Sequence, residues 1–162
     1  MFLTIVPLKD CHIPALWDIL QDYPNYFADD MEIKTFDKFK KYLTMEAKDV
    51  LVGVNGKEEI VGCCYLEHVS DNMGSVAVFT RREALLPTDI IDVSQSVVSY
   101  YFQKHSLKML YGVTRASNRA AIRLMKRLGF SGFQTLKESE KVEGKFMDCI
   151  LGGIIREKIG NH

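Results

Sequence analysis

The sequence has no excess of either charge: Lys and Arg total 21, and Asp and Glu total 21. The balance removes the bulk attraction that a strongly basic chain has for nucleic acid. No apolar run approaches the roughly 18–20 residues that cross a bilayer. The first ten residues, MFLTIVPLKD, carry neither a basic stretch nor a small-residue cleavage site, so no secretory leader is expected there. There are no repeats, no low-complexity tract and no Gly/Pro/Ser-rich linker, and residues 1–162 are read as one domain. Cysteine is scarce as well. Cys11, Cys63, Cys64 and Cys149 form no CxxC or Cys/His pairing of metal spacing, so no metal site is expected. They read as reduced, small apolar residues of a cytoplasmic protein. On a strand, the adjacent Cys63 and Cys64 would face opposite sides.

What remains is 162 residues, 47% hydrophobic and 26% charged, enough for a full core. Phe2–Val6 is a short β-rich run ended by Pro7. Pro14 to Asp22 repeats Leu16, Ile19 and Leu20 at helical spacing. Thr35 or Asp37 can cap a second helix with Phe36, Phe39, Tyr42 and Leu43 on its apolar face. Asp49–Val54 and Glu59–Val69 read as strands joined through Asn55-Gly56, the strongest short hairpin signal in the chain. Asp71-Asn72 marks a turn before a strand at Ser75–Thr80. Thr88 or Asp89 caps a helix to about His105, with Ile90, Val93, Val97, Tyr100 and Tyr101 inward. Lys108–Thr114 is a strand, Asn118–Leu128 a helix stopped by Gly129, and Phe130–Leu136 and Lys145–Ile155 are the last strands. The order β, α, α, β, β, β, α, β, α, β, β predicts an α/β (α+β layered) domain: a mixed sheet covered by helices.

The segment Leu107–Phe130, LKMLYGVTRASNRAAIRLMKRLGF, carries a more specific signal. Its Asn118, Ala121, Leu124, Gly129 and Phe130 resemble the motif of the GNAT N-acetyltransferase superfamily, and the element order matches that fold over essentially the whole chain. The resemblance implies a mixed, mostly antiparallel sheet of about seven strands flanked by about four helices. It implies N-acyl transfer, most simply of acetyl from acetyl-CoA to an amine by direct attack in a ternary complex. The co-substrate is expected between two splayed parallel strands. Val78, Phe79 and Thr80 would offer backbone to its thioester arm, Thr88, Asp89 and Ile90 would approach the pyrophosphate, and Asn118 would line the cleft.

Two positions depart from the family's pattern. The loop that should wrap the pyrophosphate falls on Leu85-Leu86-Pro87-Thr88-Asp89-Ile90 and contains no glycine. Indeed no glycine lies between Gly74 and Gly112. Glycines let backbone N–H groups approach phosphates. Pro87 removes one such donor, and Asp89 and Asp92 bring negative charge to the first turn. Met125 stands where many relatives carry a tyrosine that protonates the leaving thiolate, and a thioether has no proton to give. These departures motivate a rival reading, a GNAT-fold binding or structural protein that has lost acetyl-CoA.

Charge is also unevenly placed: no Asp or Glu occurs between Asp92 and Glu138. Arg119, Arg123 and Arg127 recur at helical i, i+4 spacing. They are either a solvated helix face or a rim for an anion, such as the 3′-phosphate of CoA, an acidic acyl-carrier protein or a nucleic acid. The carrier protein would make the chain a carrier-dependent acyltransferase. Glu67 and His68, near the end of the third strand, are candidates for the base that takes a proton from the amine, against the plainer reading of exposed strand-end residues. The loop holding Tyr23, Tyr26, Phe27, Asp29, Asp30 and Glu32 could hold a small-molecule or protein amine, or simply tuck its aromatics under the surface.

Overall fold

The computed structural model describes residues 3–81 and 87–158. Seven strands form one sheet: β1 (Leu3–Pro7), β2 (Lys48–Asn55), β3 (Ile60–Val69), β4 (Met73–Thr80), β5 (Met109–Arg115), β6 (Ser131–Val142) and β7 (Lys145–Ile155). The order across the sheet is β1-β2-β3-β4-β5-β7-β6. Every neighbouring pair is antiparallel except β4 and β5, which run parallel. Four α-helices accompany it: α1 (Ile13–Leu20), α2 (Phe36–Lys41), α3 (Pro87–Lys104) and α4 (Arg119–Leu128). No helix among the described residues is long and apolar enough to cross a membrane.

The two faces of the sheet bury separate cores. On one face, α1 and α2 bring Leu16, Ile19 and Phe39 against Val52, Cys63, Tyr65 and Phe79. On the other, α3 brings Val97, Val98, Tyr101 and Phe102 against Cys64, Leu66, Leu110 and Ile154. Strand alternation thus sends Cys63 and Cys64 to opposite cores, as their adjacency predicts. Burial pushes the Cys63 thiol well up and that of Cys64 up to about 12, so both are inert protonated thiols.

Several local readings are corrected by the geometry. The hairpin at Asn55-Gly56 forms, but the left-handed residue is Glu58 (φ 63°). Asn55 organises the turn through its side chain, whose Oδ1 accepts from the backbone N–H groups of Lys57 and Glu59. α3 begins at Pro87, one or two residues before the expected cap, so Thr88 and Asp89 lie in its first turn. Proline is tolerated at that position because its missing N–H would have no intrahelical partner. The expected loop residues Leu85 and Leu86 lie outside the described residues. β6 extends six residues past Leu136, through a break in register before Glu140. After α2, residues Tyr42–Glu46 form a π-helical turn, closed by the Ala47 N–H on the Tyr42 carbonyl at 2.8 Å. That turn keeps Tyr42 and Leu43 in the core, where an apolar periodicity of 3.6 alone would have carried the helix onward.

The second residue of β2, Asp49, is a non-glycine residue at φ 48°. Its carboxylate receives His105 Nε2 at 2.7 Å, Lys104 Nζ at 3.1 Å and the Tyr100 hydroxyl at 3.2 Å. Its carbonyl accepts from the Tyr101 hydroxyl at 2.9 Å. The C-terminal turn of α3 is thereby pinned to the sheet.

Gly62 of β3 sits where the β4 backbone comes closest. A Cβ there would stand 2.3 Å from the Phe79 carbonyl oxygen and 2.8 Å from Thr80 Cα. Backbone cannot yield as a flexible side chain can. Gly62→Ala is expected to cost about 1–3 kcal/mol, as overpacking typically does, and to lower the thermal midpoint by several degrees in calorimetry.

Candidate active site

The parallel pairing of β4 and β5 is short. Met73 pairs with Met109, Gly74 with Leu110 and Ser75 with Tyr111, and there it stops. Beyond that rung β4 continues to Thr80 beside β3, and β5 continues to Arg115 beside β7. Each strand keeps its outer neighbour and leaves its inner edge open, so the sheet forks.

Hydrogen-bond alternation decides which β4 groups face the fork. The Arg81 N–H donates to the Val61 carbonyl at 2.8 Å, which makes 61 and 81 a bonded antiparallel pair. Counting back along the register, Phe79 and Ala77 point their N–H and C=O at β3. Those of Thr80, Val78 and Val76 point into the fork. Val78 and Thr80 therefore present backbone groups to the fork. Phe79 does not: its backbone is spent on Cys63 and its ring is buried against α2 and Tyr26. The expectation for Phe79 is corrected accordingly.

Two fork-facing carbonyls are already engaged. The Tyr23 hydroxyl donates to the Thr80 carbonyl at 2.6 Å, and the Tyr26 hydroxyl to the Val78 carbonyl at 3.3 Å. Both tyrosines come from the segment between α1 and α2, and their rings pack into the core beneath those helices. The same segment is tied to the far side of the fork. Arg115 Nη2 donates to the Tyr26 carbonyl at 3.3 Å, while its Nε bonds Glu140 at 2.6 Å. Asp29 accepts from the N–H groups of Glu143 and Gly144, both at 2.9 Å. Asp29 is thus a structural residue that caps the β6–β7 turn, and the segment straps one wing of the sheet to the other.

Glu67 and His68 lie where β3 carries one residue more than β4, between the pairs Leu66–Val76 and Val69–Gly74. Such a bulge re-aims side chains. Glu67 is half-buried and accepts from the Tyr42 hydroxyl at 3.1 Å. His68 is exposed. The Tyr26 and Tyr65 hydroxyls are 3.2 Å apart, and Tyr42 and Tyr65 meet edge to face at 5.8 Å between ring centres. Burial raises all three phenols above the usual tyrosine range. Sequence reasoning placed Tyr26 in the acceptor loop and Tyr42 on a core face but did not join them. Period-2 alternation already puts Tyr65 on the Cys63 side of β3, and the π turn that aims Tyr42 leaves no signature in composition.

On the opposite face, α4 closes the fork's base. Asn118 caps it, its Oδ1 accepting the Ala121 N–H at 3.2 Å, and Gly129 ends it at φ 95°. Met125 packs over the sheet: a Cβ on Gly112 would stand 3.2 Å from its Cε and one on Gly152 3.1 Å. Arg119, Arg123 and Arg127 are exposed, and no ion pair to them occurs among the described residues. At the first turn of α3, Asp89 Oδ2 is enclosed with no hydrogen-bond partner among the described residues. The side chain of Thr88 lies outside what is described.

Residues 8–151 match the model of the acetyltransferase (GNAT) domain. The chain belongs to that family. Among solved structures it is similar to a Bacillus anthracis acetyltransferase of the GNAT family, with 14% identity, a TM-score of 0.81, and 98% of this chain and 97% of that chain covered. It is similar also to the Vibrio cholerae spermidine N-acetyltransferase in complex with CoA and spermine, with 17% identity, a TM-score of 0.81, and 97% of both chains covered. These identities show a shared fold. No curated protein matches the chain.

Two measurements check this geometry. Asn118→Ala is expected to cost about 1 kcal/mol, the usual value of an N-cap, read as a lowered urea midpoint. The two backbone donors hold the Asp29 carboxyl below its ordinary value of 3.8. A carboxyl depressed on folding contributes stability above its unfolded pKa, and loses that contribution as pH falls through the folded one. The amide proton shifts of Glu143 and Gly144 should therefore follow one titration with a midpoint below 3.8 in an NMR pH series, and lose it in Asp29→Asn.

Proposed function

We propose that the protein is an N-acetyltransferase that moves the acetyl group of acetyl-CoA to a small-molecule amine by direct attack within a ternary complex. The observation that carries this reading is the fork: beyond Ser75–Tyr111 the inner edge of β4 has no strand partner among the described residues, which is the feature the thioester arm requires of a family member. An extended amide-bearing chain can join that edge as an added strand would, through the outward N–H groups of Val78 and Thr80 and the outward carbonyl of Val76. The first turn of α3, from Thr88 to Ile90, would face the pyrophosphate, and Asn118, at the head of α4, would line the cleft. Glu67 is favoured over His68 as the base, since Tyr42 holds its carboxylate in place and His68 stands free at the surface. The complex of the Vibrio cholerae neighbour with CoA and spermine makes spermidine a reasoned first acceptor.

A second reading is favoured by specific observations: a GNAT-fold protein without acetyl-CoA. The carbonyls of Val78 and Thr80 are occupied by tyrosine hydroxyls, Asp89 sets a carboxylate where phosphate would come, and Met125 supplies no proton. The two readings part on ligand binding. If acetyl-CoA binds, saturation at 100 times its Kd stabilises the fold by about 2.7 kcal/mol, a rise of several degrees in the thermal midpoint. No rise with millimolar acetyl-CoA, and no heat in titration calorimetry, would leave the second reading standing.

A further inference from the structure

The wing formed by β5, β7 and β6 carries α4 on one face. Among the described residues, the core under α1 and α2 draws its strand residues from β1 to β4 alone. Alternation shows which side chains lie on the wing's other face. Leu110 and Ile154 belong to the core under α3, and a Cβ on Gly112 or Gly152 would meet Met125 of α4. Their neighbours Met109, Tyr111, Val113, Leu151 and Ile155 therefore point the opposite way, with Met109 across from Ile155 and Val113 across from Leu151. Met73 of β4 joins them beside Met109. The group is not covered: Val113 is 45% exposed, and Met73 and Ile155 are each 42% exposed. Lone exposed apolar residues need no explanation, but a group that adjoins across three strands marks a surface with an apolar occupant. Val113 lies two residues past Tyr111, the last residue of β5 that pairs with β4, so the group reaches the fork.

Two strand acids stand on this side of the sheet. Glu140 is held by Arg115 at 2.6 Å, so its charge is already met. Glu67, on the other side of β4, accepts from the hydroxyl of Tyr42, a residue of the core under α1 and α2. No cation pairs with Glu67 among the described residues. One uncompensated carboxylate beside an apolar wall is complementary to one cation on an apolar body. We propose that the acceptor is a primary amine with a single positive charge on an apolar body, and that Val113 is the residue that selects against a second charge. The ammonium group sits at Glu67 and the body lies over Tyr111, Val113 and Leu151. The proposal rests on the transferase reading above and names the acceptor of that same site. Two strand spacings of about 4.8 Å each separate β3 from β5, a reach that an alkyl chain of several carbons spans. The ammonium gives one proton to Glu67, and the freed nitrogen bonds the thioester carbon. The C–S bond breaks with its electron pair on sulfur, and the nitrogen's second proton passes through solvent to the thiolate. Glu67 returns its proton to solvent, so the products are the N-acetylamine, CoA and one proton. A polyamine brings further ammonium groups, and each one laid on Val113 or Leu151 gives up water without meeting a carboxylate.

The test is CoA release from acetyl-CoA by the whole chain with n-butylamine, n-hexylamine and, as the contrast, spermidine. The expected kcat/KM rises roughly fifteenfold from n-butylamine to n-hexylamine, about fourfold for each buried CH2, and spermidine falls below n-hexylamine. In Val113→Asp the order of n-hexylamine and spermidine should reverse. Acetyl-CoA affinity in calorimetry should hold in that variant, because the side chain faces away from α3 and α4. Val113→Thr keeps the branched shape and covers the case in which the aspartate variant does not fold; it should narrow the gap between the two amines in the same direction. A flat alkyl series, or spermidine equal to n-hexylamine or better, would overturn the apolar acceptor and leave the transferase standing. So would acetyl-CoA binding without CoA release to any of the three amines. Sedimentation equilibrium reads the other occupant: a native dimer that Val113→Asp splits into monomers would assign this face to a second copy and overturn the proposal. Failure of the native protein to bind acetyl-CoA would overturn acceptor and transferase together.

Discussion

The early end of the β4–β5 pairing is the constraint on which the rest depends. A strand edge inside a protein leaves N–H and C=O groups that must find partners. Here β4 stays bound to β3 and β5 to β7, so beyond Ser75 and Tyr111 neither can satisfy the other. The surrounding chain answers that need. Two tyrosine hydroxyls take two carbonyls, and the segment that carries them is fastened to Arg115 and to the β6–β7 turn. What remains of the edge is the Val76 carbonyl and the N–H groups of Val78 and Thr80.

The departures from the family's pattern acquire a physical meaning in that setting. Met125 fills the space over Gly112 and Gly152, where neither glycine has a side chain to offer. The thioether is therefore a packing element between α4 and the two strands. Asp89 sits well for the helix, since a carboxylate in the first turn opposes the orphan N–H charge, and it sits poorly for a phosphate.

Much of the architecture was legible in the sequence because binary patterning and punctuation agreed. Thr35, offered together with Asp37, caps α2, Gly129 stops α4 as expected, and the motif around Leu107–Phe130 named the fold. The site was less legible. Placing Val78 and Thr80 on the fork needs only the strand, but excluding Phe79 needs the pairing register, which no local signal carries. The Tyr26–Tyr65 hydroxyl contact and the Tyr42–Glu67 bond are brought about by a strap, a π turn and a bulge. Each of these is a deviation from ideal geometry, and such deviations are what periodicity is blind to. The left-handed Asp49 belongs with them: its conformation answers to a histidine and a lysine more than fifty positions away.

The strap has a mechanical consequence. Its short ties, Tyr26 to β4, Tyr26 to Arg115 and Asp29 to the β6–β7 turn, all lie on the side of α1 and α2. The two wings are therefore bound like the boards of a book whose spine runs along that side. Spreading them strains the spine least when the boards part toward α3 and α4.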